Sequence, residues 1–166
     1  MKLLYRKVRH HWKVSNNIHN IYYLLLIIIV SACATTKTKT NSNSGPEQAV
    51  LANQNTFLIT EVSEDKSYGY TKRNPIKVGG VENSEGPLNE RRYLNALAGP
   101  DGEPITYRRQ GSCCQFKTEN SPFGGGMLDI YEVTWEGRKS PVILYINMYD
   151  YGELKAPVGF TIKKLD

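Results

Sequence analysis

Residues 128–149 read LDIYEVTW (128–135), EGRKSP (136–141) and VILYINMY (142–149), and their spacing sets the fold class. Leu128, Ile130, Glu132 and Thr134 alternate with Asp129, Tyr131, Val133 and Trp135. Successive side chains of an extended chain point to opposite faces, so a period of two marks a β-strand. Glu136-Gly137-Arg138-Lys139 turns the chain. Val142 to Tyr149 then returns as a run apolar on both faces, as an inner strand requires. The two runs predict a β-hairpin.

Upstream, Ile105–Arg109 predicts a strand leading into Gly111–Phe116, followed by a loop over 119–126. One helix is expected before the turn Gly99-Pro100-Asp101-Gly102. Ser84 or Gly86 would cap it, Pro87 suits its first position, and Gly99-Pro100 would stop it. Leu94, Leu97 and Ala98 have the i, i+3, i+4 spacing of a buried stripe, which puts Arg91 and Arg92 on the wetter side. Phe57–Val62 predicts the first strand, Tyr68 and Tyr70 share a face if extended, and Ile76–Val78 forms a short strand ending at Gly79-Gly80. Downstream, Gly159–Lys163 predicts a final edge strand. The sum is an α+β fold, a small antiparallel sheet of four to six strands with one helix, over residues 56–166.

The N-terminal third has a different character. Residues 1–20 carry Lys2, Arg6, Lys7, Arg9 and Lys13 and no acidic residue. An apolar run from Tyr22 to Val30 then ends in Ser31-Ala32-Cys33. A basic head, a short apolar middle and a small-residue cleavage site make a secretory signal peptide over 1–32. Even counted from Ile18, the apolar segment has 13 residues, short of the roughly 20 that a spanning helix needs. The cysteine after the small residues makes the signal that of a lipoprotein. A diacylglyceryl group would join the Cys33 sulfur, and cleavage would leave Cys33 as the first residue. Each buried methylene of such an anchor contributes about 0.8 kcal/mol, and stable anchoring takes more than one chain. Residues 33–55, rich in Thr, Ser, Asn and Lys, predict a flexible tether between anchor and domain.

This partition changes the charge. Of 21 Lys and Arg residues, five lie in the leader, leaving sixteen against sixteen Asp and Glu in 33–166. A balanced domain is not a nucleic-acid binder, which needs a net basic surface. His10, His11 and His19 also all lie in the leader. Imidazole-based triads and dyads, most catalytic zinc sites and C-x-x-C-H haem attachment are therefore excluded for 33–166.

The remaining candidates for chemistry are few. Cys113-Cys114 are the other thiols, and an extracytoplasmic compartment permits disulfides. Three readings stand: one thiol in the core and one outside; a disulfide between neighbours that is easily reduced and suits a redox role; or a metal ligand or nucleophile, which would need Arg108, Arg109 or Lys117 to lower the thiol pKa. Asp129, Glu132, Asp150 and Glu153 lie on or beside the hairpin, where they would be either a solvated sheet face or a convergent pair doing acid–base work or holding a hard cation. The pairs Lys72-Arg73, Arg91-Arg92 and Arg108-Arg109 are surface charge unless they converge on an anion. Tyr68, Tyr70, Tyr145, Tyr149 and Tyr151 either fill the core or present a face for a glycan or protein. Gly124-Gly125-Gly126 lacks the Gly-Lys-Ser/Thr ending of a phosphate loop. No catalytic residue is assigned, and no metal or cofactor is expected.

At NPIKVGG (74–80), GPLNERRYLNAL (86–97), YRRQGSCCQFKT (107–118), FGGGMLDIYEVTWEG (123–137) and LYINMYDYGELKAPVGF (144–160), the chain resembles a family of small Bacteroidota lipoproteins of unknown function. Members are often labelled 2-dehydro-3-deoxyphosphooctonate aldolase. Enzymes of that name are cytoplasmic (β/α)₈ barrels of about 250 residues, which 134 residues after the leader do not supply. Ala34 after the lipidated cysteine, with no acidic cluster behind it, is similar to lipoproteins of this phylum held at the periplasmic face of the outer membrane. The expectation is a non-enzymatic envelope lipoprotein presenting a surface to an envelope protein or glycan; the alternative is a small enzyme or redox protein using Cys113 and Cys114.

Overall fold

The structure, a computed structural model, describes residues 49–165. The leader, Cys33 and most of the expected tether lie outside the described residues. Among those described, Leu51–Asn53 (β1) and Thr56–Phe57 (β2) already form an antiparallel pair, so strand pairing begins inside the stretch expected to be tether.

The hairpin is formed as its alternation predicts. Gly125–Trp135 (β6) and Val142–Asn147 (β7) pair antiparallel, with Val133 opposite Val142, Tyr131 opposite Leu144 and Asp129 opposite Ile146. Cross-strand partners share a face. Tyr131, Val133, Leu144 and Ile146 are all buried on one side, whereas Ile130, Glu132 and Ile143 on the other are less covered. Ile105–Lys117 (β5) pairs antiparallel along the outer side of β6, and Ile76–Lys77 (β3) lies along β7. β3 runs parallel to β7. The expected antiparallel sheet therefore carries one parallel edge, because the chain crosses over the core before the hairpin begins.

That crossing contains a 3₁₀ turn (Val81–Asn83) and the helix α1 (Gly86–Leu94), with Pro87 in its first turn. The helix stops four residues earlier than its apolar spacing suggests. Leu97–Ala98 leaves as a strand (β4) and pairs with Thr161–Ile162 (β8). Asn95 caps the helix and is tied down, donating to the Asn55 carbonyl at 2.8 Å and accepting from Tyr107 at 2.8 Å. Non-local pairing thus overrides helical spacing here. The face of α1 that meets the sheet carries Asn89, Glu90, Tyr93 and Leu94. Arg92, expected on the wet side with Arg91, folds back to donate to Asn89 Oδ1 and the Gln54 carbonyl.

Two other expectations shift. In 57–62, Phe57 and Ile59 are buried and Leu58 and Val62 exposed, yet beyond Phe57 only an isolated bridge, Val62 with Ala156, is formed. The expected final edge strand is there, but pairs with β4 and not with the main sheet. The core joins α1, the inner faces of β6 and β7 and the C-terminal segment, where the Tyr93 hydroxyl donates to the Lys155 carbonyl at 2.7 Å.

Gly79 shows why the glycines after β3 are needed. Its φ is +61°, and an added Cβ would stand 2.3 Å from the Tyr151 ring. Gly137 has a similar left-handed backbone, φ +79°, with open space around it. Gly137→Ala is expected to cost about 1–2 kcal/mol from the backbone alone. Gly79→Ala should cost at least twice as much, since the ring must also move. Urea unfolding of the two variants measures the difference, and equal costs would remove the Tyr151 contact from the account.

Candidate functional site

β5 would face Asp129 with only one useful side chain if it were regular. It is not regular. Arg109 stands opposite Tyr131 and Gly111 opposite Ile130, so Gln110 is an extra residue on β5. Such a bulge re-aims the side chains after it. Arg109 and Ser112, three apart in sequence, consequently fall on the same face as Asp129, which lies opposite Ser112. Arg109 grips Asp129 through both oxygens, Nε to Oδ2 at 2.6 Å and Nη2 to Oδ1 at 2.7 Å. Ser112 Oγ donates to Asp129 Oδ1 at 2.7 Å and accepts from Arg109 Nη2 at 2.6 Å. Bidentate guanidinium–carboxylate pairs of this kind are among the stronger polar contacts. The Asp129 side chain is 2% exposed and that of Arg109 47%, so the guanidinium roofs a buried carboxylate. The carboxylate holds Arg109 above its ordinary value, chiefly by hydrogen bonding.

Below Asp129 lies a second carboxyl group. Glu90, on the inner face of α1, is fully buried and accepts from the Tyr131 hydroxyl at 2.9 Å. Its other oxygen, Oε1, has no hydrogen-bond partner among the described residues. Burial, and then the charge of Asp129, push Glu90 up to about 8. It therefore holds a proton at neutral pH, and a protonated Oε1 is a donor that Asp129 can accept. Burial and the neighbouring Glu90 likewise raise Tyr131. The cluster is a proton-holding acid next to a guanidinium-paired carboxylate.

Beside it, Cys113 and Cys114 are joined in a disulfide with Cα atoms 3.7 Å apart. The alternative of one thiol inside and one outside is not what forms. Both residues are partly exposed, and a second bulge falls here, with Cys114 and Gln115 opposite the single Met127.

The other expected groups do not join this site. Glu132 is on the outer face and pairs with Arg108 at 2.8 Å, so Arg108 and Arg109 point to opposite sides of the sheet. Glu153 and Glu61 share Lys155. Asp150 accepts from Thr118, Asn120 and Asn147; burial works to raise it, but these bonds prevail and hold it below the ordinary carboxylate value. Lys72 and Arg73 are exposed and Arg92 is tied to its own helix, so the basic pairs do not converge. The five tyrosines are all partly buried and do not form an exposed face. Tyr68 and Tyr70 donate to the Glu153 and Val158 carbonyls, and Tyr151 donates to Glu82 at 2.6 Å.

Asp129 is a candidate from the sequence, whereas its partner Glu90 is not among the carboxylates beside the hairpin. A signal existed: Glu90, Tyr93, Leu94 and Leu97 follow i, i+3, i+4, i+7, which places a carboxyl in an apolar stripe. No known protein family, characterised protein or solved structure matches the chain.

Proposed function

We propose that this chain is a lipid-anchored cell-envelope protein whose α+β domain is a non-enzymatic binding or structural module, held at the periplasmic face of the outer membrane. The observation that carries this reading is the leader, a basic head and an apolar run ending in Val30-Ser31-Ala32-Cys33. The balanced charge and lack of histidine in 33–166 support it. So does the engagement of the buried polar groups with one another: Asp129 is committed to Arg109 and Ser112, and Glu90 is sealed beneath. The resemblance to small Bacteroidota lipoproteins points the same way, and the aldolase label attached to that family is not adopted. Labelled palmitate fed to producing cells is expected to enter the full chain and to be lost in Cys33→Ser, which should also leave the membrane fraction. An unlabelled wild-type protein removes the anchor. Turnover of arabinose 5-phosphate with phosphoenolpyruvate by the pure protein would restore the aldolase reading.

A second reading has a specific observation behind it. The Cys113–Cys114 disulfide is partly exposed and sits on the edge strand of the sheet, where a thiol reagent can approach it. In this reading the pair is redox-active.

A further inference from the structure

The two bulges of β5 bracket Gly111–Cys113, the segment that carries Ser112 to Asp129. The first, at Gln110, lets Arg109 and Ser112 share a face. The second, at Cys114-Gln115, closes the register that keeps Ser112 opposite Asp129 and Cys113 opposite Leu128. Cys114 has φ +62°, and among the described residues only Ser84 is another non-glycine residue in that region. A side-chain-bearing residue held there costs on the order of 1–3 kcal/mol and persists only when its surroundings dictate it. The bond from Cys113 Sγ to Cys114 Sγ is the one covalent constraint at this point of the strand.

We propose that the Cys113–Cys114 disulfide is a reducible clasp that fixes the second bulge, so that its reduction releases Ser112 from Asp129 and from Arg109. The inference rests on the redox reading above and adds what the redox change controls. A dithiol is the reductant. One of its thiolates attacks a sulfur of the pair, breaking the Cys113–Cys114 bond and forming a mixed disulfide; the second thiolate then displaces the protein sulfur. Two electrons and two protons pass to the protein, leaving two thiols, and the dithiol departs as its own disulfide. Cys114 is then free to return to an extended backbone, and β5 loses its extra residue against Met127. Ser112 moves away from Asp129, Arg109 loses its 2.6 Å contact to Ser112, and water reaches a carboxylate that was closed off.

The test uses the full chain in detergent, before and after excess dithiothreitol, with a thiol count and amide hydrogen exchange on the same samples. Cys113→Ser/Cys114→Ser serves as a permanently open form. A gain of two titratable thiols, with exchange over 109–117 and 125–131 about tenfold faster and reversed on reoxidation, is the expected result. The serine variant should show the same exchange without reductant. A gain of two thiols with exchange unchanged in both the reduced protein and the variant overturns the clasp and leaves the pair redox-active. No gain of thiols in the folded protein overturns the redox reading, and the clasp with it.

Discussion

Glu90→Gln is expected to make the protein more stable from neutral pH upward, an unusual outcome for a change at a fully buried position. Burial and Asp129 hold Glu90 at about 8 in the folded protein, against 4.5 for an ordinary glutamate. The unfolded chain releases this proton as pH rises through 4.5, and the folded protein keeps it until about 8. The stability contribution of Glu90 is therefore complete below 4.5 and is lost as pH climbs through that window. At about 1.4 kcal/mol per pH unit, the loss sums to about 4–5 kcal/mol. Glutamine keeps the shape, accepts from Tyr131 and offers an amide proton toward Asp129, but does not titrate. The groups facing position 90 are Asp129, Tyr131 and Arg109, and none of them is altered. Urea midpoints should fall for the wild type from pH 5 to about 8 and level off above it, and should stay nearly level throughout for the variant. Parallel curves would mean that Glu90 is ionised in the folded protein.

Arg109→Ala should be the most damaging single change on the sheet surface, although nearly half of that side chain is in water. What it leaves behind decides the cost. Asp129 is buried, and a buried carboxylate stripped of its partner costs about 3–5 kcal/mol. The next residue provides the control. Arg108 pairs with Glu132 at a similar distance, but their side chains are 74% and 31% exposed, so Arg108→Ala should cost under about 1 kcal/mol. Adding Asp129→Asn to Arg109→Ala should recover much of the loss, since an amide can be buried without a counter-ion. Equal costs for the two arginines, or no recovery in the double variant, would show that Asp129 does not depend on its roof.

The hairpin was legible because alternation and β-branched residues over 128–149 describe the same strand geometry that the packing then uses. The stretch 57–62 shows where alternation stops being sufficient. Phe57 and Ile59 are buried and Leu58 exposed, but a ladder also needs a continuous neighbouring backbone, and past Phe57 only the Val50 carbonyl and the single bridge to Ala156 meet it. α1 ends before its apolar spacing does because Leu97 belongs to two patterns, and pairing with Ile162 decides between them. The bulges in β5 were out of reach for a different reason. A one-residue irregularity leaves no trace in composition and appears only in the count of residues opposite β6. Without it, Arg109 and Ser112 would face opposite ways, and the cluster around Asp129 could not be assembled on paper. The disulfide is one of three readings that the sequence leaves open, because two adjacent cysteines do not report the left-handed backbone, φ +62° at Cys114, that accompanies the bond.

β5 is also the open border of the main sheet, a strand of 13 residues with a partner on one side only among the described residues. A flat border of that length would invite copies of the chain to zip together. Here it is divided into Ile105–Arg109, Gly111–Cys113 and Phe116–Lys117, each too short to serve as a good template. The irregularity that sets Arg109 and Ser112 on the face of Asp129, together with the one at Cys114-Gln115, thus also guards against fibre growth, and a variant with both smoothed out is expected to precipitate even if it still folds.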